Sequence, residues 1–133
     1  MAVISSEILP VVAEPDIVIA RRRVREMAAK IGLSLVDQTK IVTAASELAR
    51  NTLIHGGGGS MQLEHMNGPR VGVRLTFEDK GPGIPNLELA LRDGFTTGSG
   101  LGLGLSGSKR LVNEFEIQSQ VGLGTKVTIT RWK

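Results

Sequence analysis

Apolar residues recur along this chain with two different periods, and the changes from one to the other mark out its elements. Residues 3–12 (VISSEILPVV) are apolar but broken by Pro10, as in an edge strand or extended arm. From Pro15-Asp16 to Ile31 the apolar positions Ile17, Ala20, Val24, Met27 and Ala28 follow helical spacing, and Gly32 marks the end. Ser34 with Asp37 three residues on resembles a capping box and opens a second helix to Ile54, with Ile41, Ala45, Leu48 and Leu53 on its apolar side. HGGGGS stops that helix. MQLEHM and RVGVRLTFED then flank Asn67-Gly68, a hairpin signal, with Pro69 asking for a loop longer than two residues. Val71, Val73, Leu75 and Phe77 would share one face of the second strand. A short helix is expected at Leu87 to Arg92, a glycine run follows, and a helix is expected at about Leu105 to Asn113. FEIQSQ, a turn at Val121–Gly124, and TKVTITRW form a second hairpin.

The order is strand, helix, helix, hairpin, glycine loop, helix, hairpin, with no internal repeat and no linker. It predicts an α/β fold, a two-layer sandwich of a mixed, mostly antiparallel sheet with helices on one face, over one domain from 1 to 133. Composition narrows the function classes. With aromatics at 3% the core must be aliphatic and base-stacking platforms are not expected, which counts against single-stranded nucleic acid as a partner. There is no cysteine, so disulfides, zinc ribbons and thiol nucleophiles are out. No apolar run approaches a membrane span, and the N-terminus lacks the pattern of a signal peptide, so the expectation is a cytoplasmic protein with no membrane partner. A net charge of +3 suits an anionic ligand or acidic partner without requiring either. Arg21, Arg22, Arg23 and Arg25 cannot all face one way; a solvated helix face and a docking surface for an acidic partner both fit them.

Residues 96–110 (TTGSGLGLGLSGSKR) carry five glycines, a density that persists where bare backbone is useful, most often around an anion such as phosphate. Two familiar phosphate loops fail here. Gly102 and Gly107 have Walker spacing, but Ser108 intervenes before Lys109, and no strand leads in. Gly102, Gly104 and Gly107 spell the dinucleotide pattern, again with no preceding strand and no acidic residue at the expected distance. A kinase loop of the H-R-D type has no counterpart in so short a chain.

Three neighbouring constellations carry chemistry, each with a plainer structural reading. In SELARN, Glu47 and Asn51 stand one turn apart on a helix face, with His55 a turn further. A carboxylate able to take a proton beside an amide oxygen able to bind Mg²⁺ suits phosphoryl transfer; a polar stripe on an amphipathic helix is the alternative. In DKGPGIP, Asp79 ends a strand before two glycines, so a flat ligand can approach and the carboxylate can accept from an amine; an ordinary turn also fits. In GLGT, Thr125 adds a hydroxyl beside Asp79.

Taken in sequence, a helix with Glu and Asn, D-x-G-x-G, a glycine-rich loop entering a helix, and G-T before a terminal strand resemble the ATP-binding fold of gyrase, HSP90, histidine kinases and MutL (the GHKL, or Bergerat, superfamily). The resemblance covers about residues 15 to 131. Without further domains or a phosphoacceptor helix, the chain is similar to the small bacterial anti-sigma-factor kinases. SELARN, EDKGPGIP, DGFTTGSGLGLGL and KRLVNEF look most like the stressosome switch kinases of the RsbT type. The resemblance implies a serine/threonine kinase that moves the γ-phosphoryl group of ATP, with Mg²⁺, onto a STAS-domain protein and then engages a PP2C-type phosphatase. Its sibling branch would instead bind a sigma factor and phosphorylate a STAS antagonist, and a nucleotide-gated binding module is a third reading. By the same resemblance Glu47 matches the general base, Asn51 the Mg²⁺ ligand and Asp79 the adenine-reading aspartate, with Gly81, Gly83 and Thr125 shaping its pocket. Gly98, Gly100, Leu101, Gly102, Leu103 and Gly104 match the lid and the phosphate-facing G2 box. Arg92, Thr96 and Thr97 fall in the lid with no assigned role, and Lys109 and Arg110 read as surface charges.

Overall fold

A computed structural model describes residues 2–92 and 101–133, the side chains of 2 and 101–104 excepted. Its elements are β1 (Ala2–Val11), α1 (Glu14–Lys30), α2 (Leu35–Ile54), β2 (Gly59–Asn67), β3 (Gly72–Asp79), α3 (Leu87–Ala90), α4 (Leu101–Arg110), β4 (Glu114–Gln120) and β5 (Gly124–Trp132). The strands form one sheet in the order β1-β2-β3-β5-β4. Every pairing is antiparallel, so the mixed sheet expected from the sequence is a purely antiparallel one among the described residues. The reason is topological: both hairpins join neighbouring strands directly, and β1 returns to pair with β2 after α1 and α2 cross the sheet.

Local chemistry sets the helix ends. The Asp16 carboxylate accepts from the N–H groups of Val12 and Ala13 at 2.9 and 3.1 Å, and α1 starts at Glu14, one residue before the expected Pro15. At its other end Leu33 N–H reaches Ala28 O and Gly32 N–H reaches Ala29 O, the paired bonds of a Schellman cap. Ser34 Oγ accepts from Asp37 N–H at 3.1 Å, which is half of the expected capping box. The Asp37 carboxylate turns instead to Arg131 Nη2 on β5, 2.7 Å away, because an ion pair to the sheet competes with the local bond.

Alternation on the strands puts one face inward. Met61, Leu63, Val73, Leu75, Phe77, Val127 and Ile129 are buried against Ile17, Val24, Ile41, Ala45 and Leu48 of the helices. Val71 precedes β3 rather than lying in it and packs at the margin of this core. The opposite face is polar, with Glu64 paired to Arg74 at 3.0 Å; Trp132 lies over Gly72 and donates from Nε1 to Glu114. Of the four α1 arginines, Arg23 bonds Glu7 on β1 and Glu26, while Arg21, Arg22 and Arg25 are exposed.

Helix α4 begins at Leu101, four residues before the expected start, and ends at Arg110 rather than Asn113. Leu101, Gly102, Leu103 and Gly104, read as loop, are therefore its first turn. Glycine's low helix propensity made them look like loop, yet a helix end leaves its first four N–H groups unbonded, so one turn of poor formers is tolerated there.

Candidate active site

The antiparallel register brings three separate sequence motifs to one end of the sheet. Asp79 ends β3 and stands opposite both Gly59 of β2 and Thr125 of β5. Asp79 Oδ1 accepts from Gly81 N–H at 2.9 Å, so the bend that follows the strand fixes its own carboxylate and leaves Oδ2 as the second acceptor. Behind it lies Gly56, so close that a β-carbon there would sit 2.3 Å from Asp79 Cγ. The closing turn is equally tight: at Gly124, with φ +128°, a β-carbon would lie 2.2 Å from Asp79 O. Gly122 N–H donates to Pro82 O at 2.9 Å, so the bend and the turn are held together.

Between these pieces and α2 is a cavity of about 150 Å³. Its apolar walls are made by Leu48, Phe77, Ile84, Leu105 and Val127. Its polar groups converge from Asn51 and Thr52 of α2, His55 just past the end of that helix, Asp79 of β3 and Thr125 of β5, with Gly56, Pro82 and Gly83 at the margin. Apolar walls with a few convergent polar groups describe a small-molecule site. Among the described residues, Asn51 Nδ2 is buried with no hydrogen-bond partner. Buried amides are almost always paired, which makes this one a candidate ligand contact. The two ends of an amide are alike in shape, and with the oxygen turned inward the same residue offers an acceptor instead.

Of the residues singled out in the sequence, Asn51, Asp79, Gly83 and Thr125 line this cavity, and Gly81 serves it through its N–H. Glu47 does not line it; one turn before Asn51, it is exposed. Leu101, Gly102, Leu103 and Gly104 form the helical turn preceding Leu105, whose buried side chain closes one wall. Gly98 and Gly100, with Thr96 and Thr97, lie outside the described residues. Sequence reasoning missed Thr52, Gly56 and Ile84. Only Gly56 had a usable signal, as the first glycine after the polar α2 stripe; Thr52 and Ile84 look like any helix or loop residue.

A helix-backed antiparallel sheet with an apolar-walled cavity, a pinned carboxylate and a buried amide defines an α/β sandwich with a small-molecule site. Residues 36–133 match the histidine kinase-, DNA gyrase B-, and HSP90-like ATPases, and the chain belongs to that family, whose ligand is ATP. It is 42% identical over 123 residues to the serine/threonine-protein kinase RsbT of Bacillus subtilis (strain 168), across 92% of each chain. It is 32% identical over 119 residues to an anti-sigma F factor of Bacillus licheniformis, across 84% of this chain and 81% of that one. Among solved structures, the RsbU and RsbW domains of Rv1364c from Mycobacterium tuberculosis share the fold, with a TM-score of 0.65 at 24% identity. Full-length ShkA in complex with AMPPNP does so with a TM-score of 0.57 at 20% identity. This chain is covered to 96% and 98% by those two, yet spans 32% of each of theirs. No helix among the described residues is long and apolar enough to cross a membrane.

Proposed function

We propose that this protein is an ATP-dependent protein-serine/threonine kinase of a bacterial partner-switching system, and that its acceptor is a STAS-domain protein. The observation that carries the reading is the buried, unpartnered Asn51 amide beside the pinned Asp79 carboxylate in one apolar-walled cavity. Asp79 Oδ2 accepts from the exocyclic amine of adenine, Thr125 contributes a hydroxyl to the same edge, and Leu48, Phe77, Ile84 and Val127 enclose the base. The N-terminal N–H groups of α4, those of Leu101, Gly102, Leu103 and Gly104, face the phosphates.

The chain's own acidic residues do not gather into a metal cluster: no three His, Cys, Asp or Glu among the described residues do so. With that donor set, Asn51 would hold through its amide oxygen a Mg²⁺ ion brought in with the nucleotide phosphates. Once bound, Mg²⁺ offsets the phosphate charge. Glu47, exposed one turn from Asn51, stands where a hydroxyl delivered by a docked protein would meet it and takes that hydroxyl's proton. The likeness to RsbT at 42% identity supports the switch-kinase branch, in which the chain afterwards engages a PP2C-type phosphatase. The likeness to anti-sigma F factors supports the second reading, a kinase that also holds a sigma factor.

Labelled ATP and candidate STAS proteins test the proposal. Wild type is expected to transfer label to Ser or Thr, Glu47→Ala to bind ATP without transfer, and Asn51→Ala to lose Mg²⁺-dependent binding. Transfer by Glu47→Ala at the wild-type rate would remove Glu47 from its role.

A further inference from the structure

Helix α1 turns three of its four arginines to solvent. Arg23 is held by Glu7 and Glu26, whereas Arg21, Arg22 and Arg25 are exposed and join no ion pair among the described residues. The carboxylates of the two helices are mostly engaged elsewhere. Asp16 bonds the chain at the start of α1, Glu26 pairs with Arg23, and Asp37 is held by Arg131, which leaves Glu14 at the first residue of α1 and Glu47 on α2. Arg25 follows Arg21 by four residues and Arg22 by three, so like charges stand together along one side of the helix. Folding gains nothing from that arrangement of charge.

The three guanidinium groups border a groove between α1 and α2. Its cavity of about 370 Å³ is lined by them together with Val18 of α1 and Val42 of α2. Val18 is 61% exposed, an apolar side chain open to water among charged neighbours, while Val42 is buried. Leu35, also exposed, precedes Val42 by two helical turns and so lies on the same side of α2. Apolar surface flanked by groups that only donate is the complement of a peptide segment whose apolar side chains are flanked by carboxylates, which a guanidinium takes through two parallel N–H bonds. A nucleic-acid backbone would use the charges but set phosphates against Val18 and Leu35, so the apolar part favours protein. The groove also leads toward Glu47: Thr43, beside Val42, begins an exposed line on α2 that reaches Glu47 one turn later.

We propose that this groove docks the acceptor protein, and that its occupant is an acidic, apolar-faced segment whose carboxylates pair with Arg21, Arg22 and Arg25 while the acceptor hydroxyl lies over Glu47. The inference rests on the chain being a kinase with a protein acceptor, and it adds the chemistry of that acceptor. Val42 and Glu47 are about 7.5 Å apart along the axis of α2, so the acidic segment lies on the order of 10 Å from the modified hydroxyl.

The test uses the STAS protein that wild type labels, with steady-state transfer measured at low and high salt. The triple variant Arg21→Gln/Arg22→Gln/Arg25→Gln is expected to raise KM for that acceptor at least tenfold with little change in kcat. Its ATP affinity by calorimetry and its urea midpoint should match wild type, whereas a merely structural role would lower both. Added salt should raise the wild-type KM and leave that of the triple variant nearly unmoved. Lysine at the three positions, which keeps the charge and loses the fork, should give an intermediate KM. Lysine in place of the acceptor's acidic residues should raise KM for wild type, and Arg21→Glu/Arg22→Glu/Arg25→Glu should restore transfer to that altered acceptor. An unchanged KM in the glutamine variant, or a random DNA duplex that displaces the acceptor from wild type, would overturn the docking assignment and leave the kinase reading intact. Wild type that labels no STAS protein would overturn both.

Discussion

Replacing Gly56 by alanine adds one methyl group directly against the Asp79 side chain. Gly56 has an ordinary backbone angle, so no left-handed strain is involved, and the whole effect comes from space. The new β-carbon would lie 2.3 Å from Asp79 Cγ, 2.5 Å from Oδ2 and 2.6 Å from Cβ. The first is about 1.1 Å short of the 3.4 Å where ordinary contact begins. The Gly56 backbone has little room to retreat, because it already touches the bend: a β-carbon on Gly81 would sit 2.7 Å from Gly56 Cα. Asp79 must therefore yield. A shift of about 1 Å takes its carboxylate beyond hydrogen-bond reach of Gly81 N–H, now 2.9 Å away. Overpacking of this kind costs about 1–3 kcal/mol in stability. A displaced carboxylate also forfeits its bond to the ligand amine, worth about 1.5–3 kcal/mol, so ATP affinity should fall roughly 10- to 100-fold. Calorimetry with Mg²⁺-ATP measures the second quantity and urea unfolding the first. A Gly56→Ala protein with wild-type affinity and an unshifted urea midpoint would refute the claim that this contact sets the position of Asp79.

Three further outcomes follow from the same geometry. Asp79→Asn keeps the shape of the side chain but exchanges a charged acceptor for a neutral amide, so ATP affinity measured by calorimetry should drop at least tenfold while the urea midpoint moves little. Asp37→Ala removes the carboxylate partner of the Arg131 guanidinium, whose side chain is 17% exposed and whose Nε lacks a partner among the described residues, and should cost about 2 kcal/mol in urea unfolding without changing ATP affinity. Leu63→Ala, at a fully buried position midway along β2, should cost about 3 kcal/mol in the same assay through the cavity it leaves.

The elements that could be read in advance are those whose register is set by their own residues. The period of α1, the Asn67-Gly68 hairpin and the alternation Val73, Leu75, Phe77 each state their fold locally, and the structure follows them. What escaped depends on distant partners. The Asp37 carboxylate belonged to a capping box on local grounds and was captured by Arg131, 94 positions away. Gly56 matters through its contact with Asp79, which its own neighbours in sequence do not announce. The early start of α4 was hidden for the opposite reason, since glycine propensity argues locally against a turn of helix. The motif residues Asn51, Asp79, Gly83 and Thr125 were legible because their order along the chain resembles a known superfamily, and the cavity brings them together.

The separation of Glu47 from the cavity bears on how such a small protein would control phosphoryl transfer. Asn51 and Glu47 share a face of α2 only one turn apart, yet the first is turned into the cavity and the second is exposed. A carboxylate open to water activates nothing by itself, because water competes for its lone pairs and screens its charge. If Glu47 is the base, it becomes effective when a docked protein covers it and brings a hydroxyl within hydrogen-bond reach, so the acceptor surface would complete the site that the nucleotide begins. Binding of ATP then needs only this chain, whereas transfer needs the complex. On that reasoning free protein should bind ATP and hydrolyse it slowly, and Glu47→Gln should leave both properties in place. Added partner should raise turnover in wild type and leave it unchanged in Glu47→Gln; stimulation of both alike would place the base elsewhere.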